Sequence, residues 1–426
     1  MASEPAPNSS SSAPPPQPTE TETTGTTTPW PTTTKAWTYT RPGPFRQTLQ
    51  QTTNHPILPV WPPNPPFPFK GLPSSDDPGK EEWLLLRTAY AALNPGDLVT
   101  LSIVPFLARA HRTFLPAAVP GMDLTARVLD VWTPDGVTDN DGQKRFVKGD
   151  KVVCIIPFGH GMATGAGALQ GVLALPARWA VKLPDSPAPE GSLQNPLRDT
   201  AGLFLAGITA YIQVKECDLQ RGQKVLVVGA SGGVGHMAVQ LAREKVGKEG
   251  LVVGVCSGRN EELVKGLGAN EIIDYTAHPD LPAELKRRFS AQPFDAIIDT
   301  YGSQPLYRNC ASYLKPTGTY HACTIHYNSY TFPSLLKSML LLTLNRIWPK
   351  SRWLGGTGRT FRVAEWMQPS REMMEELVEM CVTGKLRVAR DREWEFEELK
   401  EAMGVLEGGH ARGKVVVKVD GEDGDE

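Results

Sequence analysis

The sequence predicts an α/β protein in which a doubly wound parallel sheet is joined to a mostly β part, preceded by a tail that lacks the means to fold. Three observations carry this. Strand-like and helix-like stretches alternate from about residue 197 to 355, which implies right-handed crossovers and parallel strands. Short apolar strands with turn residues between them fill the part before, the pattern of an antiparallel region. Residues 1–34 are Ser, Thr and Pro with three glutamates, no Lys or Arg and almost nothing apolar, so they cannot offset the entropy of ordering.

The bounds agree. A chain of 426 residues with 40% hydrophobic content has room for two ordinary domains and a sizeable core. Its 44 basic residues balance 46 acidic ones, which leaves no electrostatic footprint for nucleic acid. Six cysteines lie scattered without a C-x-x-C pair, so neither a disulfide framework nor a zinc ribbon is expected, and a reducing, cytoplasmic setting fits. The tail lacks the basic residues and apolar run that a secretory signal or transit peptide needs.

In order, 35–39 reads as a short strand and 55–78 as a proline-heavy stretch without regular structure. A strand over 83–93 ends in the turn Asn94-Pro95-Gly96-Asp97. Pro120-Gly121-Met122-Asp123 marks a further turn, 133–144 an exposed loop, and Gly149-Asp150 the start of another strand. Residues 152–177 carry no Asp, Glu, Lys or Arg, yet Pro157, Gly161, Gly167 and Pro176 interrupt them, which suits strand and loop rather than a spanning helix. Strands follow at 225–229, 251–255, 271–274, 294–300 and 319–324, separated by helices at 260–267, 280–289 and 304–314. The apolar run 335–344 is too short to span a membrane. It is read as a core helix, with contact to a membrane surface or a partner chain as the alternative. Helices at 371–382 and 396–406 and a strand at 414–419 complete the pattern, and the acidic residues 421–426 form a frayed end.

One stretch carries chemistry. Val225-Leu226-Val227-Val228 runs into Gly229-Ala230-Ser231-Gly232-Gly233-Val234-Gly235, and the apolar residues Val234, Met237, Ala238, Leu241 and Ala242 then fall at helical spacing. Small residues let the backbone turn tightly and approach a pyrophosphate, while free N–H groups at the helix start face the anion. The cluster follows a strand and precedes a helix, and a second strand arrives at βαβ spacing. That is the context a dinucleotide site requires.

The motifs 229–235, Asn94-Pro95-Gly96-Asp97, Pro120-Gly121-Met122-Asp123, Gly149-Asp150-Lys151-Val152, Gly207-Ile208-Thr209-Ala210-Tyr211, Ile273-Asp274-Tyr275 and Gly413-Lys414-Val415-Val416 together resemble the medium-chain dehydrogenase/reductase superfamily. Within it they are most similar to the zinc-free quinone oxidoreductase and enoyl reductase branch. The resemblance implies a GroES-like β domain at 35–196 and 356–420, clasping a Rossmann NADP-binding domain at 197–355. Where the zinc-dependent branch holds its metal ligands, this chain has Asn94, Met122 and Ala206, none offering the imidazole or thiolate that zinc prefers. His160, His321 and His326 are read as surface or hydrogen-bonded residues.

These departures point to hydride transfer from NADPH to an activated double bond of a small enone, enoyl compound or quinone. The alternative is a non-catalytic NADPH-binding sensor or interaction protein. The second strand ends in Cys256-Ser257-Gly258-Arg259-Asn260 with no acid for a ribose hydroxyl, so Ser257, Arg259 and Asn260 are candidates for a 2′-phosphate. The resemblance adds Tyr275 to the same group and Thr209 near the cofactor. Ser231, Gly232, Gly233 and Val234 form the pyrophosphate turn. Asn94 matches a family position near the nicotinamide and is the one catalytic candidate, and solvent is taken as the proton source. A monomer or homodimer is expected.

Overall fold

The computed structural model describes residues 31–57, 82–103, 117–133, 145–184, 193–326, 329–347, 356–364 and 369–420. Most of the expected tail, most of the proline-rich stretch, most of the exposed loop and the acidic end lie outside these residues.

A two-stranded antiparallel ribbon joins β1 (Thr33–Thr38) to β2 (Gln50–Pro56). β1 therefore begins before Lys35, within the last two residues of the expected tail. Five further strands open the antiparallel sheet: β3 (Trp83–Leu93), β4 (Asp123–Trp132), β5 (Lys151–Ile155), β6 (Val172–Pro176) and β7 (Ala180–Lys182). Six form the parallel sheet: β8 (Lys224–Val228), β9 (Leu251–Cys256), β10 (Glu271–Asp274), β11 (Phe294–Asp299), β12 (Leu314–Ala322) and β13 (Thr360–Val363). The chain then returns to the first sheet with β14 (Arg390–Glu395) and β15 (Lys414–Lys418).

The parallel sheet has the order β10-β9-β8-β11-β12-β13, so its direction of winding reverses between β8 and β11, where doubly wound sheets bind ligand. Alternate residues of its strands enter two separate cores. Val225, Val227 and Ile298 face one, with the helices Leu203–Glu216 and Gly235–Val246; Leu226, Val228 and Ile297 face the other, with Leu285 and Leu306. Both faces are covered, as an all-parallel sheet needs. β13 pairs with β12 through Thr319↔Thr360 to Ala322↔Val363, which carries this sheet past the boundary expected after residue 355.

The other sheet runs β14-β15-β3-β4-β5-β7, with β6 also on β3. Its 11-residue strand β3 is buried at every position but Arg87. The expected turn after it is the first turn of a helix, Pro95–Ile103. Proline suits the first helical position, and Asp97 Oδ2 accepts the Asn94 N–H at 2.7 Å in half of a capping box.

One expectation is reversed. The helix Phe332–Ile347 buries only Ser338 and Asn345 and exposes Phe332, Leu336, Met339, Leu340, Leu344 and Ile347, so it is not the core helix that its composition suggests. No helix among the described residues is long and apolar enough to cross a membrane. The six cysteines are free thiols.

Candidate active site

The glycine turn sits at the carboxyl end of β8. Gly229 has φ +72°, in the left-handed region open to glycine, and the Gly232 N–H closes the turn on Gly229 O at 2.9 Å. A Cβ at Gly235 would overlap Gly229 O and the backbone of Ala230, so only glycine lets the helix Gly235–Val246 start this close to the strand. Ala230 N donates to Val255 O at 2.9 Å, which ties the turn to the neighbouring strand. His236, in the first helical turn, is fully buried with Nδ1 2.9 Å from Gly232 O, and burial holds it down at about 4. It is a neutral structural residue at physiological pH.

Three expected cofactor residues meet at the carboxyl end of β9. Asn260 Nδ2 donates to Ser231 Oγ at 2.9 Å and reaches Ser257 Oγ at 3.3 Å. Arg259 lies beside them on the same short 3-10 turn, with Nη2 donating to His410 O at 3.1 Å. Tyr275, directly after β10, exposes its ring, and its N–H bonds Cys256 O. The Asp274 carboxylate accepts Thr276 N at 2.9 Å and Thr276 Oγ1 at 2.7 Å, and these bonds hold it below the usual range; its Oδ2 also lies against the β9 turn, where a Cβ at Gly258 would fall 2.6 Å from it. Thr209 lies apart from this group, on the helix Leu203–Glu216, with its hydroxyl donating to Leu205 O.

Across the switch point, Thr300 Oγ1 donates to Val228 O at 2.7 Å, joining the ends of β8 and β11. The Asp299 carboxylate accepts N–H bonds from Tyr301, Gly302 and Ser303 and the Tyr320 hydroxyl at 2.6 Å. Burial raises its pKa even so. The loop it shapes presents Tyr301, whose ring stacks on His326 at 4.2 Å. Sequence reasoning passed over Tyr301 and set His326 aside; the available signal was an aromatic immediately after a predicted strand end. His321 is buried with Nε2 2.9 Å from Glu216, and His160 is half-buried with its ring 4.5 Å from that of Trp179.

A second cluster lies in the seam between the sheets, and its centre was missed. Lys414, on β15, is buried, and its ammonium is 2.5 Å from Asn94 Oδ1, 3.2 Å from Leu93 O and 3.8 Å from Asp123 Oδ2. Its stem passes the glycine turn: a Cβ at Gly233 would lie 3.4 Å from Lys414 Cδ, and Gly413 N donates to Ser231 O at 2.8 Å. A Cβ at Gly202 would overlap Lys414 Cε. Asp123 Oδ2 also accepts Leu205 N, at 3.3 Å. Burial pushes Asp97 up to about 7 and Asp123 to about 6, and pushes Lys414 down. Two carboxyls share one ammonium, so removing their water costs more than the ion pair returns.

Asn94 is therefore engaged at both ends, since Nδ2 donates to Ala92 O at 3.0 Å. A small cavity of about 30 Å³ borders the cluster, lined by Asp97, Tyr39, Thr100, Met122 and Phe158. At the places where the resemblance puts zinc ligands, Ala206 has no donor atom and the Asn94 oxygen already accepts from an ammonium. That donor set does not fit a zinc ion. Among the described residues no group of three or more His, Cys, Asp or Glu could hold a metal.

Known proteins share this architecture. A family model described as zinc-binding dehydrogenase matches residues 267–417. The medium chain reductase pydE of Acremonium sp is 32% identical over 398 residues, covering 91% of this chain and 99% of that protein. The trans-enoyl reductase poxH of Penicillium oxalicum is 28% identical, covering 92% and 99%. Among solved structures, the quinone oxidoreductase from Coxiella burnetii superposes with a TM-score of 0.64 at 23% identity, over 91% of this chain and 99% of that one. With a relative this similar spanning nearly the whole of both proteins, the chain belongs to the medium-chain dehydrogenase/reductase family.

Proposed function

We propose that this chain is an NADPH-dependent, zinc-independent oxidoreductase that reduces an activated carbon–carbon double bond in a small enone, enoyl compound or quinone. The observation that carries the reading is the group at the end of β9, where hydroxyls, an amide and a guanidinium gather beside the glycine turn and the strand itself ends in no acid, the Asp274 carboxylate that reaches Gly258 coming from β10. The names of the relatives, a medium chain reductase and a trans-enoyl reductase, support the reaction class.

In this reading Ser257, Arg259, Asn260 and Tyr275 hold the 2′-phosphate, main-chain N–H groups of Gly233 and Val234 face the pyrophosphate, and Gly232, whose N–H closes the turn on Gly229 O, lets the backbone come close to it. Ser231 is fixed by Asn260, and Thr209 stands near the cofactor. The bound dihydronicotinamide supplies a hydride to the β-carbon of the substrate. The charge that develops spreads into an enolate, which a hydrogen bond or two can stabilise, so no Lewis acid is needed. Asn94, the one catalytic candidate, has its side chain held by Lys414 and Ala92 O, so its part near the nicotinamide is to position rather than to transfer a proton. Solvent supplies the proton.

The test is consumption of NADPH and NADH against a panel of enones, enoyl thioesters and quinones, in chelator, with dissociation constants from calorimetry. Charge-assisted bonds to the phosphate are worth about 1.5–3 kcal/mol each, so NADPH should be preferred by at least roughly tenfold. Arg259→Ala should lose about that factor for NADPH and leave NADH unchanged. Equal constants for the two cofactors in the parent would refute the phosphate site. NADPH binding without turnover on any member of the panel would favour the sensor reading, and one tight zinc per chain would remove the zinc-free part.

A further inference from the structure

The helix Phe332–Ile347 carries apolar residues on both sides: Leu335, Leu341 and Leu342 are half-buried, Leu342 against the core beneath, while a second apolar set faces outward. Ser338 and Asn345 face the protein, where Ser338 Oγ donates to Ile325 O at 3.1 Å and Asn345 exchanges two amide hydrogen bonds with Gln304, at 2.8 and 3.0 Å. Outward, Phe332, Leu336, Met339, Leu340, Leu344 and Ile347 expose between 38% and 75% of their surface. With 3.6 residues per turn these six fall within an arc of roughly 140°, opposite the two buried polar residues. A surface helix ordinarily buries its apolar stripe, and a continuous exposed apolar stripe marks an interaction surface.

Charge identifies what the stripe meets. Lys337 stands at one edge of the arc and Arg346 at the other. Residues 300–364 contain no Asp or Glu but eight Lys or Arg. Lys315 and Arg362 lie against Asp295 and Glu216, outside that stretch. An apolar stripe with bases on both edges matches a bilayer interface, where apolar side chains enter the acyl boundary and basic stems reach back to phosphates. It does not suit a second copy of the chain, because with both edges basic, either orientation of two such helices sets base against base.

We propose that the outer face of this helix is a membrane-docking surface, which lies in the headgroup region of a bilayer carrying anionic lipid. The stripe inserts and Lys337 and Arg346 contact lipid phosphates. The helix begins six residues after His326, so docking brings the ligand end of the parallel sheet toward the membrane.

The experiment is flotation of the full chain with vesicles of phosphatidylcholine alone and with about a third phosphatidylserine, at low and at physiological salt. The parent should float with the anionic vesicles, more at low salt, and only weakly with neutral ones. Leu336→Glu with Leu340→Glu should lose flotation, and Lys337→Glu with Arg346→Glu should weaken it by roughly tenfold or more. All these positions are exposed, and thermal melting checks that both double variants stay folded. Failure of the parent to float, or flotation unchanged in either folded variant, would overturn the proposal. So would light scattering that shows a lipid-free dimer which Leu336→Glu with Leu340→Glu converts to monomer, since the stripe would then belong to a second copy.

Discussion

Lys414 holds its ammonium at 2% exposure, with Asn94, Asp97 and Asp123 around it, and its consequences for pH follow from the sign of the shifts. In the unfolded chain an aspartate titrates near 4, whereas burial raises Asp97 to about 7. Between these values the native state keeps a proton that the unfolded state has released. This carboxyl's contribution to stability is therefore fully present below about 4 and is lost as pH rises to about 7. Carboxylates with lowered values, such as Asp199, act in the opposite sense, so the effect must be read as a difference. Asp97→Asn keeps an acceptor for the Asn94 N–H but does not titrate. Its melting temperature relative to the parent should rise by roughly 2 °C or more between pH 4.5 and 7.5, measured by thermal denaturation. A difference that stays flat or falls would show that Asp97 is not the buried acid described.

At the scale of the element, the glycines of the turn have separate duties that two substitutions can tell apart. Gly235→Ala puts a methyl into Gly229 O, so the helix cannot start where it does, and both the melting temperature and nucleotide binding should fall. Gly233→Asp has space, with its Cβ 3.4 Å from Lys414 Cδ, so it should melt near the parent and still lose NADPH, because the carboxylate crowds and repels the pyrophosphate. Near-normal NADPH affinity in folded Gly233→Asp would remove the foundation of the nucleotide reading. This strand, turn and helix were legible in the sequence because their pattern is local. Other parts were not. β2, Gln50–Pro56, has no apolar alternation and among the described residues pairs only with β1. β13 is four residues long and among the described residues pairs only with β12. The helix Phe332–Ile347 was read as core because composition does not reveal which face is buried. Lys414 resembles any solvated lysine until Asn94, 320 residues earlier, is brought beside it.

At the scale of the molecule, the two sheets share one of their hydrophobic clusters. A single hydrophobic cluster runs from Tyr90, Val153 and Ile155 of the antiparallel sheet through Leu203, Phe204 and Ile208 to Val225 and Val227 of the parallel one, and on to Met374 and Leu377. The polar seam at Lys414 follows the same course, from Asn94 and Asp123 in one sheet to the glycine turn on the other. Unfolding either sheet alone would expose that shared core, and losing the parallel sheet would also strip the glycine turn from the Lys414 stem and open the Lys414–Asp123 pair, both of whose members the antiparallel sheet carries, to water. Multidomain proteins often melt in more than one step; here the shared cluster makes partial unfolding unfavourable, and one calorimetric transition is expected, with calorimetric and van't Hoff enthalpies equal. NADPH at about 100 times its Kd should shift that transition as a whole, by about 2.7 kcal/mol. Two resolved transitions, with only the later one moved by NADPH, would show that the sheets fold independently and that the Lys414 seam does not couple them.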